Sequence, residues 1–303
     1  MKNVFSSKLG LVIAAAVLMP IVSTAATVES MEQWNGTSVE GWTCVDSDLI
    51  SRPSLLSNTN NSLKVSFAKR TVSVAPPYIL RADSNASQGR FIGDYASAGA
   101  ACANFKFLSP NCAPSSAKLY FHSSGSDRYW YLDLPVLDVG TWVQFSVPLY
   151  YAAGWKIDYS SFPSKALFET DIQSIDWIGV RLTLNGEAAQ SYNLDDFVLV
   201  SASTDSDGDG TTDLSEARAG TNPYDSSSIF RLSVAGVGSN GVTISWPSSP
   251  FVTYDIWRTT DLAAGFGDVP LATIPGAAGT RATSYPDTTA LDEGPYFYRV
   301  TTR

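Results

Sequence analysis

Beyond the first two dozen residues, apolar side chains almost never recur at helical spacing. Short segments rich in Val, Tyr, Trp, Phe and Thr recur instead, separated by Gly, Pro, Asn and Ser. That pattern restricts the chain to an all-β fold. Strands are expected over 64–69, 78–82, 103–108, 117–121, 128–134, 141–147, 175–184 and 191–200. In YWYLDLP, Tyr129 and Tyr131 alternate with Trp130, so both faces of that strand carry aromatic rings. One face is expected to meet core and the other solvent or ligand. No internal repeat of fixed period is present.

The start of the chain is different. Two lysines precede an apolar run from Leu9 to Val22, followed by small residues. This is the layout of a secretory signal peptide over residues 1–26, cleaved after Ala25 or Ala26. The run is shorter than the roughly 20 apolar residues of a membrane span, and Pro20 interrupts it. The expectation is a secreted or cell-surface protein with no membrane insertion.

The formal net charge is −9, and the leader removes two of the lysines. An acidic chain without a basic run argues against nucleic acid and anionic membranes as partners. Of the three cysteines, Cys102 and Cys112 flank the short connection ANFKFLSPN and are the favoured disulfide; Cys44 with Cys112 is the alternative. No C-x-x-C occurs and His122 is the only histidine, so a zinc-type site is not indicated.

Composition breaks at 201–210, where SASTDSDGDG holds no large apolar residue. From Asp205, carboxylates follow at spacings that match a D-x-D-x-D-G-x5-E calcium loop. Calcium takes six to eight hard oxygen ligands, and a tight turn lets alternate side chains converge. Asp205, Asp207, Asp209, the Thr211 carbonyl, Asp213 and Glu216 are the expected ligands, with Gly210 supplying the turn. A short helix is expected over 213–219, ended by Gly220. No amphipathic helix precedes Asp205, so the loop is not half of an EF-hand.

The segment DSDGDGTTDLSEARAGTNPYDSSS resembles a single thrombospondin type 3 calcium repeat. The resemblance implies a structural Ca2+ site, with Asp225 as a further cap or ligand. It would join two β domains, 27–200 and 229–303, through a linker at 201–228. The latter domain, with Trp246, Tyr254, Trp257 and YFYRV near its end, resembles a fibronectin type III sandwich whose aromatics form the core, ending without that fold's last strand. The former resembles galactose-binding-like jelly rolls, a fold shared by many carbohydrate-binding modules. It opens with ESMEQWNGTSVEGW and closes with YNLDDFVLV. Such modules often hold a structural calcium between first and last strands. The resemblance therefore implies Glu29, Asp195 and Asp196 as a second set of ligands, with simple exposed carboxylates as the alternative.

Aromatic rings stack on the apolar faces of sugars while polar groups take the hydroxyls. Tyr129, Trp130, Tyr150, Tyr151, Trp155 and Tyr159 cluster mid-domain. Trp130, Tyr151, Trp155 and Tyr159 are the ligand candidates, with Trp155 foremost because YYAAGWKIDY reads as a loop. Catalytic signals are sparse: no G-x-S-x-G or H-E-x-x-H occurs, and His122 reads as a solvent-side histidine. The expectation is a secreted, calcium-binding protein that binds a polysaccharide or cell-surface glycan. A glycan hydrolase or lyase using a carboxylate pair and a structural cell-surface protein are the alternatives.

Overall fold

The computed structural model describes residues 26–71, 76–135, 138–159, 162–277, 282–291 and 294–303. The expected leader, apart from Ala26, lies outside them. No helix among the described residues is long and apolar enough to cross a membrane. The chain forms two compact units with the main break between Ser201 and Ala202.

The first unit is a two-sheet β-sandwich of the jelly-roll type. Its strands are β1 (Thr43–Val45), β2 (Leu56–Asn58), β3 (Leu63–Phe67), β4 (Tyr78–Ala82), β5 (Ala100–Leu108), β6 (Ser116–Ser123), β7 (Arg128–Asp133), β8 (Trp142–Pro148), β9 (Lys156–Ile157), β10 (Ile175–Thr183) and β11 (Gln190–Ser201). One sheet runs β1-β4-β10-β6-β7-β9 and the other β2-β3-β11-β5-β8. Every strand expected from the sequence is present. The unexpected ones, β1, β2 and β9, are edge strands of two or three residues, too short to show a period of two.

Alternation sorts each strand of the six-stranded sheet into two faces. Leu80, Leu119, Phe121, Trp130, Leu132, Ile178, Val180 and Leu182 are buried and form the inward face. Cross-strand pairing of Phe121 with Trp130 stacks their rings at 6.3 Å. Aromatic residues on both phases of β7 therefore serve two different surfaces.

The second unit has two three-stranded sheets. These are β12 (Ser233–Gly238), β13 (Gly241–Pro247) and β16 (Ala282–Asp287), against β15 (Ala272–Pro275), β14 (Thr253–Thr259) and β17 (Phe297–Thr302). Its core is Val242, Ile244, Trp246, Val252, Tyr254, Ile256 and Ala290. Trp246 and Tyr254 are core, as the fibronectin resemblance implies; Trp257 is only half-buried, its indole donating to Thr301 at 3.2 Å. The acidic loop belongs to this unit. The helix Asp213–Ala219 follows it, capped by Thr212 and closed by Gly220 at φ +83°, which bears out the sequence reading. A Cβ on Gly220 would lie 2.0 Å from the Ser248 carbonyl carbon, so this close approach admits no side chain. The Tyr254 hydroxyl donates to the Arg218 carbonyl at 3.1 Å.

Candidate functional sites: an aromatic sheet face and an acidic loop

The outward face of the six-stranded sheet departs from the usual polar exterior. Register builds it in rows. Trp177 stands beside His122, and His122 beside Tyr129; Gly179 stands beside Tyr120, and Tyr120 beside Tyr131 and then Lys156. Val45, Ile79, Tyr120 and Trp177 form an apolar cluster of their own, with Tyr129 and Tyr131 packed against it.

At one end this face opens into a cleft of about 190 Å³ lined by Asp46, Leu49, Ile79, Tyr120, Tyr129, Asp158, Tyr159 and Arg181, among others. Enclosed small-molecule sites span roughly 300–1,000 Å³, so an open cleft of this size suits part of a larger ligand. Two walls rise from it. Tyr159 is 94% exposed and Leu49 47% exposed, and both adopt the left-handed backbone region, at φ +60° and +59°. That conformation costs an ordinary side chain roughly 1–2 kcal/mol. It persists only where surroundings impose it.

The imposing contacts are visible on the Leu49 side. Asp46 accepts from the amides of Asp48 and Ile50 at 3.0 Å, and from Arg52 Nε and Nη2 at 2.9 and 2.7 Å. The Arg52 guanidinium and the two amides hold the Asp46 carboxyl below the usual carboxylate range. Across the cleft, the Asp158 amide donates to the Tyr129 carbonyl at 2.8 Å. Asp158 Oδ2 accepts from the Tyr120 hydroxyl at 3.2 Å and meets Arg181 Nη1 at 3.3 Å, and Arg181 also donates to Tyr120. Burial is the main cause that pushes the Tyr120 hydroxyl pKa up, so it stays a neutral donor.

His122 is not solvent-side. It is 8% exposed, with Nδ1 2.6 Å from Asp176 and Nε2 3.1 Å from Asp127. Burial favours the neutral ring, but the two aspartates outweigh it and raise its pKa. The turn after β6 brings Asp127 back to the ring, which corrects the solvent-side reading.

Of the four aromatic ligand candidates, one stands at the cleft. Tyr159 lines it. Trp155 and Trp130 are 1% and 0% exposed, correcting the expectation for both. Trp155 packs on Phe121 at 5.0 Å and Phe168 at 5.7 Å, because its loop folds inward over the sandwich. Trp130 takes the inward phase of β7, and its indole donates to buried Asp171 at 2.8 Å. Tyr151 is half-buried; its hydroxyl donates to the Pro163 carbonyl and its ring meets Trp130 edge-on. Tyr129, named only as part of the cluster, and Tyr120, not named, are at the cleft. Their signal was the alternation on β6 and β7.

The structure also separates Glu29 from Asp195 and Asp196. Glu29 is exposed, its amide donating to the Leu199 carbonyl and its carboxylate accepting from the Ser201 amide at 2.8 Å. Four residues of strand, about 13 Å, lie between that point and Asp195. Glu32 is the acid beside them, paired with Phe197, and Arg90 neutralises it at 2.7 Å. Asp196 pairs with Lys106 at 2.5 Å. Burial is the main cause that pushes the Asp195 carboxyl up to about 6. Charges here are met by Arg90 and Lys106, so the residues do not fit a second cation site.

No disulfide joins Cys44, Cys102 or Cys112. The segment between Cys102 and Cys112 is largely β5 itself. Six extended residues separate Cys102 from Leu108 by about 20 Å, against the roughly 7 Å limit between disulfide Cα atoms. Burial pushes the Cys44 thiol up to about 12.

In the acidic loop, carboxylate oxygens of Asp205, Asp207 and Asp209 lie within 4.8 Å of one another, the one such acidic group among the described residues. The turn is built by these side chains. Asp205 accepts from the Gly208 and Gly210 amides, Asp207 from Asp209, and Asp209 from exposed Thr211. Asp207 Oδ2 and Glu216 Oε2 are buried acceptors without a partner, although an unmet buried acceptor costs about 1–3 kcal/mol. Burial, then Asp207, push the Glu216 carboxyl up to about 7. Asp207 belongs to the three-carboxylate group, and a hard cation there would meet its orphan oxygen, so the residues fit calcium. Asp213 is fully buried and accepts from the Ser206 amide and hydroxyl; it and Glu216 lie outside the three-carboxylate group.

No protein-family model and no curated protein matches the sequence. Among solved structures, the L4b domain of human laminin alpha-2 covers 55% of this chain and 93% of its own length at 9% identity and a TM-score of 0.42. A family 11 carbohydrate-binding module of a cellulosomal cellulase from Clostridium thermocellum covers 59% and 97% at 12% identity and a TM-score of 0.39. A beta-1,2-glucanase from Parabacteroides distasonis covers 93% of this chain and 36% of its own at 14% identity and a TM-score of 0.35. Such distant likenesses assign no ligand, which must be read from the chain's own residues.

Proposed function

We propose that the chain is a secreted polysaccharide-binding protein whose glycan lies across the outward face of the six-stranded sheet. The observation that carries this reading is the cleft with two exposed walls, Leu49 and Tyr159, held in costly backbone conformations. A flat tyrosine against a sugar ring, with donors and acceptors on the floor, is what a polyhydroxylated chain requires. A glycosidase needs a carboxyl with a raised pKa as proton donor; Asp46 at the cleft is held low by Arg52, which does not suit that role.

A single calcium ion at Asp205, Asp207, Asp209 and Glu216 is the second part of the proposal, in a structural role. The helix after the loop is anchored to the β core through Tyr254, and among the described residues no partner helix stands ready to swing open.

The test is retention of the purified protein on immobilised polysaccharides in calcium. Tyr159→Ala is expected to lose retention, and Trp142→Ala, an exposed aromatic on the other sheet, to keep it. Equal retention of both variants sinks the site assignment.

A further inference from the structure

Given that reading, we infer that Asp158 makes the cleft selective for neutral, hydroxyl-rich glycans and against uronates and sulfated chains. The cations on this face are held by carboxylates. Arg52 is on Asp46 at 2.7 Å, Arg81 on Asp83 at 3.1 Å, Lys118 and Lys156 on Asp133 at 3.3 and 2.7 Å, and Arg181 on Asp158 at 3.3 Å. Asp127 and Asp176 flank His122. Among the described residues of this face, no cation of those pairs is left over to receive an anionic sugar.

The Arg181–Asp158 pair is the one that lines the cleft. Oδ2 of Asp158 is taken by Tyr120 and Arg181, while Oδ1 has no partner among the described residues. Side-chain exposures of 24% and 21% leave both groups in reach of a ligand. The cleft therefore presents one carboxylate acceptor beside guanidinium donors. A pair of neighbouring sugar hydroxyls matches it, since each hydroxyl both donates and accepts. A ligand carboxylate matches only the arginine and meets the negative charge of Asp158 a few ångströms away, a like-charge repulsion that water screens only in part. Without Asp158, Arg181 would be a guanidinium with no carboxylate partner, bonded among the described residues only to the Tyr120 hydroxyl, and a guanidinium is the group best suited to a bidentate carboxylate.

The experiment compares the wild-type protein and Asp158→Asn on two neutral polymers, mixed-linkage β-glucan and glucomannan, and on two uronate polymers, alginate and polygalacturonate. Wild type is expected to bind a neutral polymer and to pass through the uronates. Asp158→Asn, which keeps the shape and removes the charge, is expected to shift the ratio of uronate to neutral binding by about tenfold, equivalent to about 1.4 kcal/mol. Wild-type binding to a uronate in preference to the neutral polymers overturns the inference and leaves glycan binding standing. Neutral binding with an unchanged ratio in a folded Asp158→Asn also overturns it. Failure on all four polymers removes the glycan reading and this inference with it. The wild-type arm decides the matter even where the variant does not fold.

Discussion

Trp155 and Tyr159 stand four residues apart and invite the same substitution with opposite results. Trp155 is 1% exposed and packs on Phe121 and Phe168. Truncating a buried tryptophan to alanine removes its transfer free energy and leaves a cavity, a loss of about 3–5 kcal/mol. A sandwich of this size loses roughly 2–4 °C of melting temperature per kcal/mol. Trp155→Ala is therefore expected to lower the melting point of the first unit by roughly 6–20 °C. Tyr159, 94% exposed, has almost no burial to lose. Tyr159→Ala should melt with wild type to within about 0.5 kcal/mol while losing retention on the glycan that wild type binds. Calorimetry and polysaccharide pull-down on both variants separate the two roles. Should Trp155→Ala melt with wild type and lose only binding, the inward placement of that loop is wrong, and with it the assignment of the cleft wall.

Three further outcomes follow from the same geometry. Calcium at a hundredfold excess over its Kd should stabilise the loop-bearing unit by about 2.7 kcal/mol, and Glu216→Gln should shrink the gain; identical melting in calcium and in chelator refutes the metal assignment. The Asp195 carboxyl is raised from 3.8 to about 6, so the folded state binds its proton more tightly than the unfolded chain. Its contribution to stability is present below pH 3.8 and is lost as pH rises toward 6; Asp195→Asn should flatten the melting profile across that window and melt higher than wild type at pH 8. Gly220→Ala should destabilise the second unit strongly, because the new methyl meets the Ser248 backbone and φ is +83°; a melting point within error of wild type would show that the helix end is not packed there.

The strands and the acidic loop were legible because their signals are local. Residues 78–82 were expected as a strand and form β4, and the helix Asp213–Ala219 ends at Gly220 as its sequence indicates. Period-two alternation, a capping threonine and carboxylates at calcium spacing are read within a dozen residues. The sign of an alternation is not local. Trp130 and Tyr131 differ by one position, and nothing in YWYLDLP states which phase faces the second sheet. That choice belongs to the packing of one sheet face on the second sheet, which buries Trp130 and leaves Tyr131 on the outward face beside Tyr120 and Trp177. The Cys102–Cys112 expectation failed for a related reason, since a segment taken as a short connection is itself a strand long enough to hold its ends apart.

The cleft is a product of topology. Asp46, Ile79, Tyr120, Asp158 and Arg181 are scattered over more than a hundred residues, and sheet order β1-β4-β10-β6-β7-β9 sets them side by side. By itself the sequence determined the all-β class, the strand positions, the acidic loop and its helix, because neighbours along the chain decide backbone preference. The tertiary structure alone decided which aromatic rings are core and which are surface, and which carboxylate meets which arginine. Those are properties of faces and cross-strand pairs, which exist only once distant strands have found their register.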